Sequence, residues 1–270
     1  MSHLNRGIHD EIIRGWPAAD RSRFLPDQFR HTPETGSTND DLLAKARAGE
    51  ITAPELLATD YQTSGRGRRG DRWEAAPGRN LLFSLALPLD SPRETWSRLP
   101  QLTASLVGSA IEDILGPGHQ LQAKWPNDLL YQGQKLAGIL VEITLKPHPV
   151  AIVGVGVNVN LRADELPPAL RALATSLYEI AGYESNRWFL LGLIVQGFLR
   201  HHPERLLDFQ DTLAWITARD LLHGRRLQIR SGREDIVGTA SGIGPRGELL
   251  LRKDNGHIRE IVSAEEIRWR

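Results

Sequence analysis

An α+β fold (α/β in the broad sense) is what this sequence predicts: a central mixed, largely antiparallel sheet flanked by helices, with a small β module at the C-terminus. Three observations predict it. Short apolar segments bounded by Gly, Pro, Asn and Asp recur between residues 56 and 160 at strand and hairpin spacing. From Trp96 to Leu115, Leu99, Leu102, Leu106, Val107, Ala110 and Ile114 fall at i, i+3, i+4 spacing, and Gly116-Pro117 ends the run. Beyond Leu222, Gly238, Gly242, Gly244, Gly247 and Gly256 punctuate short alternating stretches, the pattern of a small barrel of ~50 residues. The chain so read divides into an N-terminal extension (1–34), a main domain (35–220) and a C-terminal module (221–270).

Taken in order, residues 1–33 show little periodicity, with Pro17, Pro26 and Pro33 as breakers and at most a short helix around Ile8 to Trp16. Ser37-Thr38-Asn39-Asp40 supplies N-cap candidates for a helix through Leu42, Leu43 and Ala46, closed by Gly49. The runs at Leu56-Leu57-Ala58 and Asn80 to Leu87 read as strands. Leu121 to Trp125, Leu129 to Gln132 and Lys135 to Thr144 read as three more, joined by Pro126-Asn127-Asp128 and Gly133-Gln134 turns. Val150 to Asn160 is a β-branched run in which Gly154 and Gly156 mark a bulge or a close approach. Helices are expected over Asn186 to His201 and from Pro203 to about Trp215.

Composition narrows the function. Thirty-three basic and thirty-three acidic residues give a formal net charge of zero, so nothing draws the whole chain to nucleic acid or an anionic membrane. With no cysteine there is no disulfide, no thiolate metal site and no thiol nucleophile. No apolar run approaches the ~20 residues that span a bilayer, and His3 to Arg14 lacks the apolar core of a signal peptide. A cytoplasmic location, without membrane contact, is the expectation.

Against this neutral background one stretch stands out. Between Ser64 and Arg72 lie four arginines and three glycines, framed by two strands. Glycine lets the backbone turn its N–H groups to one point, and arginine pairs bidentately with carboxylate or phosphate. The stretch reads as a mobile anion-gripping loop, with a solvated basic loop as the plain alternative. Gly65-x-Gly67-x-x-Gly70 also fits a dinucleotide-binding pattern, but Pro77-Gly78 leaves no room for the helix that pattern requires. Lys124 and Lys135 are a second signal, because an ammonium on an apolar strand needs a partner. An anionic ligand, Asp128 or Glu142 would serve; otherwise the lysines reach solvent from edge strands.

Ser37-Thr38-Asn39, Gln62, GRGRRG from Gly65, Trp73, KWPND from Lys124, KLAGILVE from Lys135 and GVGVN from Gly154 occur in the order and approximate spacing of the biotin protein ligases. Over roughly residues 35–270 the chain resembles that family, including its SH3-like C-terminal domain. The resemblance implies activation of biotin by ATP and Mg²⁺ to biotinoyl-5′-AMP, then transfer to one lysine of a biotin carboxyl carrier domain, such as that of acetyl-CoA carboxylase. It implies that Ser37, Thr38, Asn39 and Gln62 line the biotin pocket, and that Gly65, Arg66, Gly67 and Arg68 belong to the ligand-contacting loop with Trp73 packed behind it. Lys135 matches the lysine at the biotin carboxylate and reacting phosphate, making Lys135 and Arg68 the catalytic candidates. Gly138, Gly154 and Gly156 let the sheet approach the biotin rings, while Lys124, Asn127 and Asn158 face the nucleotide. Asp128 is the candidate Mg²⁺ ligand, with a turn role as its alternative. Trp215 lies one residue out of register with a tryptophan that stacks on adenine.

Only 36 residues precede Ser37, too few for the winged-helix domain of the members that also repress transcription, so a monofunctional ligase without sequence-specific DNA binding is expected. Asp71 departs from the basic or neutral residue common at its position. Lipoate–protein ligation and nucleic-acid binding through Arg66 to Arg72 are the alternative functions; a homodimer is left open.

Overall fold

A computed structural model describes residues 3–24, 26–232 and 234–269. The larger sheet has seven strands in the order β1-β2-β3-β7-β6-β5-β4. These are β1 (Phe29–Thr35), β2 (Glu55–Gln62), β3 (Leu81–Pro88), β4 (Gln122–Lys124), β5 (Asp128–Tyr131), β6 (Gln134–Thr144) and β7 (Val150–Val157). β1 and β2 run parallel, and every other neighbouring pair is antiparallel. Helices α1 (His3–Ile12) and α2 (Ala18–Arg21) precede the sheet, α3 (Thr38–Arg47) links β1 to β2, and α4 (Leu99–Leu115) follows β3. After β7 come α5 (Leu177–Ala181), α6 (Arg187–Leu207) and α7 (Gln210–Thr217).

The period-two alternation of β7 explains the two faces of this sheet. Ala151, Val153, Val155 and Val157 point into the main core, with Leu102 and Val107 of α4 and Leu190 and Ile194 of α6. Val150 and Ile152 point the other way and form a second cluster with Leu42, Leu43 and Ala46 of α3. Gly154 and Gly156 continue that second face. Their register partners are Leu140 and Gly138 on β6, and Ser84 and Leu82 on β3. The second face is therefore apolar under α3 and small or polar beyond it, and the candidate site lies there. α3 is held by its N-cap: Ser37, at φ −160° and ψ 126°, accepts from the Asp40 N–H.

Five antiparallel strands form the C-terminal sheet in the order β11-β10-β9-β8-β12: β8 (Arg226–Ser231), β9 (Glu234–Ile243), β10 (Leu249–Arg252), β11 (Ile258–Ile261) and β12 (Glu266–Trp269). It docks on the main domain through its own backbone. The Gly247 carbonyl accepts from Gln101 Nε2 at 3.1 Å and Trp125 Nε1 at 2.9 Å, and Arg98 Nε donates to Pro245 O at 2.9 Å. Gly247 has φ +78°, and a Cβ there would stand 2.7 Å from Gln101 Oε1, so the turn needs glycine.

Three expectations are corrected. Residues 1–33 hold more than a short helix. Phe29–Thr35 is a strand despite Pro33, because it lies at the sheet edge and its pairs with β2 skip the proline. Ile8, Ile12, Trp16 and Phe24 are buried in the main core. Position 203 does not divide two helices: α6 runs through it to Leu207, with Phe198 and Leu206 buried on either side. Proline removes one N–H from a helix, which the burial of these flanking residues outweighs. The short α5, capped by Ser176 accepting from Glu179 N at 3.1 Å, went unread.

Candidate functional site

A cavity of about 240 Å³ opens on the glycine-bearing face of the larger sheet. Its wall gathers residues from 37 to 267, including every candidate site residue except Gly65 and Asn158.

One side is a chain of polar groups. Gln62 Oε1, at the end of β2, accepts from Thr38 N at 2.8 Å and lies 3.1 Å from Thr38 Oγ1. Thr38 Oγ1 is 2.6 Å from Ser84 Oγ, and Ser84 Oγ donates to Asn39 Oδ1 at 2.6 Å. A hydroxyl has one proton, so Ser84, donating to Asn39, accepts from Thr38. Asn39 Nδ2 then donates to Glu142 Oε2 at 2.9 Å, and Arg66 Nη2 reaches the same oxygen at 2.7 Å and Asp40 Oδ1 at 2.6 Å. Thr38, Asn39 and Ser84 are almost wholly buried, so these bonds offset a real desolvation cost. A Cβ at Gly154 would stand 2.2 Å from Asn39 Oδ1; only glycine leaves room for this amide.

The arginine-glycine stretch is a closed hairpin. Arg66 and Arg72 bridge antiparallel, Trp73 N donates to Gly65 O at 3.0 Å, and Arg68–Gly70 makes a 3-10 turn. A Cβ at Gly65 would stand 2.8 Å from Trp73 O, so this glycine shapes the hairpin from outside the cavity wall. The pairing turns the Trp73 indole onto the sheet. Trp73 lies between the loop and the paired glycines, with Cβ positions at Gly156 and Gly138 only 2.6 and 2.9 Å from its ring. Its Nε1 is buried and has no hydrogen-bond partner among the described residues.

Opposite stand the two lysines. Lys135 Nζ is 2.8 Å from Asp128 Oδ1 and 5.5 Å from the Trp73 ring centroid. Its backbone is bracketed by Leu173 O (2.8 Å) and Thr175 N (3.0 Å). Asn158 serves that bracket and is not in the wall: its Nδ2 donates to Thr175 O at 3.0 Å. Asn127 is at the wall with its Nδ2 donating to Ile139 O at 2.8 Å. Lys124 Nζ sits 4.7 Å from the Trp269 ring centroid. Trp215 is outside the wall, its ring against Gly108 and under Arg219.

Three contributors were not foreseen. Ser84 joins Thr38 to Asn39, and its signal was a lone hydroxyl in an otherwise apolar strand. Glu142 was read as a partner for a lysine and instead joins Asn39 to Arg66. Ala264 to Ile267 bring the C-terminal sheet to the wall. As to Mg²⁺, no group of three or more His, Asp or Glu side chains among the described residues could hold a metal unaided. Mg²⁺ is usually held by one or two carboxylates together with substrate phosphates. Asp128, a cavity carboxylate, fits that limited part.

Residues 32–160 match the Biotin/lipoate A/B protein ligase family, and residues 222–265 match the Biotin protein ligase C terminal domain. A biotin–acetyl-CoA-carboxylase ligase of Mycobacterium tuberculosis is 33% identical over 97% of this chain and 94% of its own. The Bacillus subtilis bifunctional ligase/repressor BirA is 34% identical over 79% of this chain but only 66% of its own length, so its repressor activity is not carried over. Among solved structures, the Aquifex aeolicus biotin protein ligase in complex with biotin and ATP has a TM-score of 0.75 at 29% identity, covering 90% of this chain and 99% of that one. The chain belongs to the biotin protein ligase family.

Proposed function

We propose that this cavity activates biotin with ATP and passes the biotinoyl group to a lysine of a biotin carboxyl carrier domain, in the cytoplasm. The observation that carries the reading is the placement, in one cavity, of an uncharged hydrogen-bonding chain beside a group of cations. A ureido ring has donors and acceptors but no charge, which suits Thr38, Ser84, Asn39 and Gln62. A carboxylate and a triphosphate are anions, which suits Lys124, Lys135 and the arginine hairpin.

In the first step a carboxylate oxygen attacks the α-phosphorus, a new O–P bond forms, and pyrophosphate leaves. The two reactants repel, and Lys135 between them offsets that repulsion most where negative charge accumulates in the transition state. Asp128 holds the ammonium in place. The hairpin, closed by the Arg66–Arg72 bridge and lining the cavity wall, keeps water from the mixed anhydride. In the second step a neutral amine of the carrier lysine attacks the acyl carbon, an amide forms and AMP leaves. Mg²⁺ accompanying ATP would neutralise phosphate charge, with Asp128 its ligand from the protein. No helix among the described residues is long and apolar enough to cross a membrane.

The test supplies ATP, Mg²⁺, a carrier domain and either labelled biotin or labelled lipoate. Label from biotin on one carrier lysine is expected; label from lipoate alone, or none from either, would overturn the reading.

A further inference from the structure

The cations at the cavity differ in how they are compensated. Arg66 is shared by Asp40 and Glu142 at 2.6 and 2.7 Å, and Lys135 is paired with Asp128 at 2.8 Å. Lys124 forms no ion pair among the described residues. Its ammonium lies instead 4.7 Å from the centroid of Trp269, the penultimate residue of the chain. An aromatic face attracts an ammonium through its quadrupole without cancelling its charge.

The fold explains how Trp269 reaches this position. β12 pairs antiparallel with β8, Trp269 opposite Leu227, and Ile267 two residues earlier is at the cavity wall. Residues two apart on a strand share a face, so the face that carries Ile267 to the wall carries Trp269 to Lys124. The C-terminal sheet is anchored against the main domain by the Gly247 carbonyl, which receives Trp125 Nε1, from the residue next to Lys124.

We infer that Trp269 is a positioning residue for ATP: its indole face holds the Lys124 ammonium, uncancelled, where it meets the phosphates. This rests on the ligase reading of the cavity. It assigns the C-terminal sheet a direct part in nucleotide affinity and none in biotin affinity.

The experiment measures ATP and biotin affinities separately by calorimetry for wild type, Trp269→Ala, Trp269→Phe, Lys124→Ala and the Trp269→Ala/Lys124→Ala double variant. Trp269→Ala should weaken ATP binding about five- to thirty-fold. Biotin affinity should stay within about twofold, which also shows that the variant is folded. Trp269→Phe, which keeps an aromatic face, should recover part of the loss. The double variant should bind ATP no more weakly than Lys124→Ala, because the ring acts through that ammonium. Unchanged ATP affinity in Trp269→Ala would overturn the inference, as would equal losses for ATP and biotin, no recovery with phenylalanine, or additive losses. Failure of wild type to bind ATP at all would instead remove the ligase reading beneath it.

Discussion

Lys135 shows how one side chain's surroundings set its task. Asp128 at 2.8 Å and the Trp73 ring at 5.5 Å fix its ammonium, while the bond from Lys135 N to Leu173 O fixes its backbone. Lys135→Gln should slow adenylate formation by ~10²–10³-fold, the range for loss of one preorganised donor. Transfer from supplied biotinoyl-AMP should suffer less, because that step brings no two anions together. Single-turnover assays of the two half-reactions check this, and wild-type adenylation in the folded variant would reduce Lys135 to a solvated strand end. Gly156 makes a purely steric prediction. A Cβ there would stand 2.6 Å from the Trp73 ring, so Gly156→Ala must displace the indole. Overpacking of this kind costs about 1–3 kcal/mol, which denaturant titration would read as a lowered midpoint. At this scale the sequence was largely readable: glycines in a β-branched run, lysines on apolar strands and an arginine-glycine loop are local signals. Ser84 and Asn158 were not, because their parts depend on which strand or loop ends up beside them.

The hairpin from Gln62 to Trp73 meets the strand face through the Trp73 ring on Gly138 and Gly156 and through one shared carboxylate oxygen. Glu142 Oε2 accepts from Asn39 Nδ2 and Arg66 Nη2, so the wall suited to biotin and the basic hairpin share one acceptor. Glu142→Gln keeps the shape but removes the charge that holds Arg66. We expect the acyl-adenylate to dissociate about tenfold faster, equivalent to one charge-assisted bond of ~1.4 kcal/mol. Rapid filtration after a pulse of labelled biotin measures this, and retention equal to wild type would remove Glu142 from the account. The basic loop was identifiable from its letters; its hairpin form and the descent of Trp73 onto Gly138 and Gly156 were not. Those follow from the Arg66–Arg72 bridge and the Gly65–Trp73 bond, contacts that no local pattern encodes. Likewise Pro33 reads as a breaker until β1 is known to be an edge strand.

Across the molecule, distant elements are tied near the site by polar groups. Asp60, two residues before Gln62 on β2, accepts from His31 of β1 and Arg187 of α6, each at 3.0 Å. The hydrogen bond from His31, and then that from Arg187, hold its carboxyl below the ordinary 3.8, against the opposing effect of burial. A carboxyl with a depressed folded-state pKa contributes stability that is present above its unfolded pKa and lost as pH falls through its folded one. Asp60→Asn should therefore lower stability by about 1 kcal/mol at neutral pH, a small value because water screens a partly exposed carboxylate. The gap from wild type should shrink below about pH 3.8. Thermal melts from pH 3 to 7 test it, and a gap independent of pH would show that Asp60 acts through packing alone. The fold class was legible because the core strands and α4 carry strong periodicity. The joining of Ala264 to Ile267 to a cavity built around residues 37–156 was not, since it depends on how two separate sheets dock.

The most direct measurement is pyrophosphate exchange into ATP by the purified chain, with and without biotin. The polar chain and the Lys135–Asp128 pair predict exchange that requires biotin, is not supported by lipoate, and falls ~10²–10³-fold in Lys135→Gln. Exchange without biotin, exchange supported equally by lipoate, or no exchange with any acid would contradict the account.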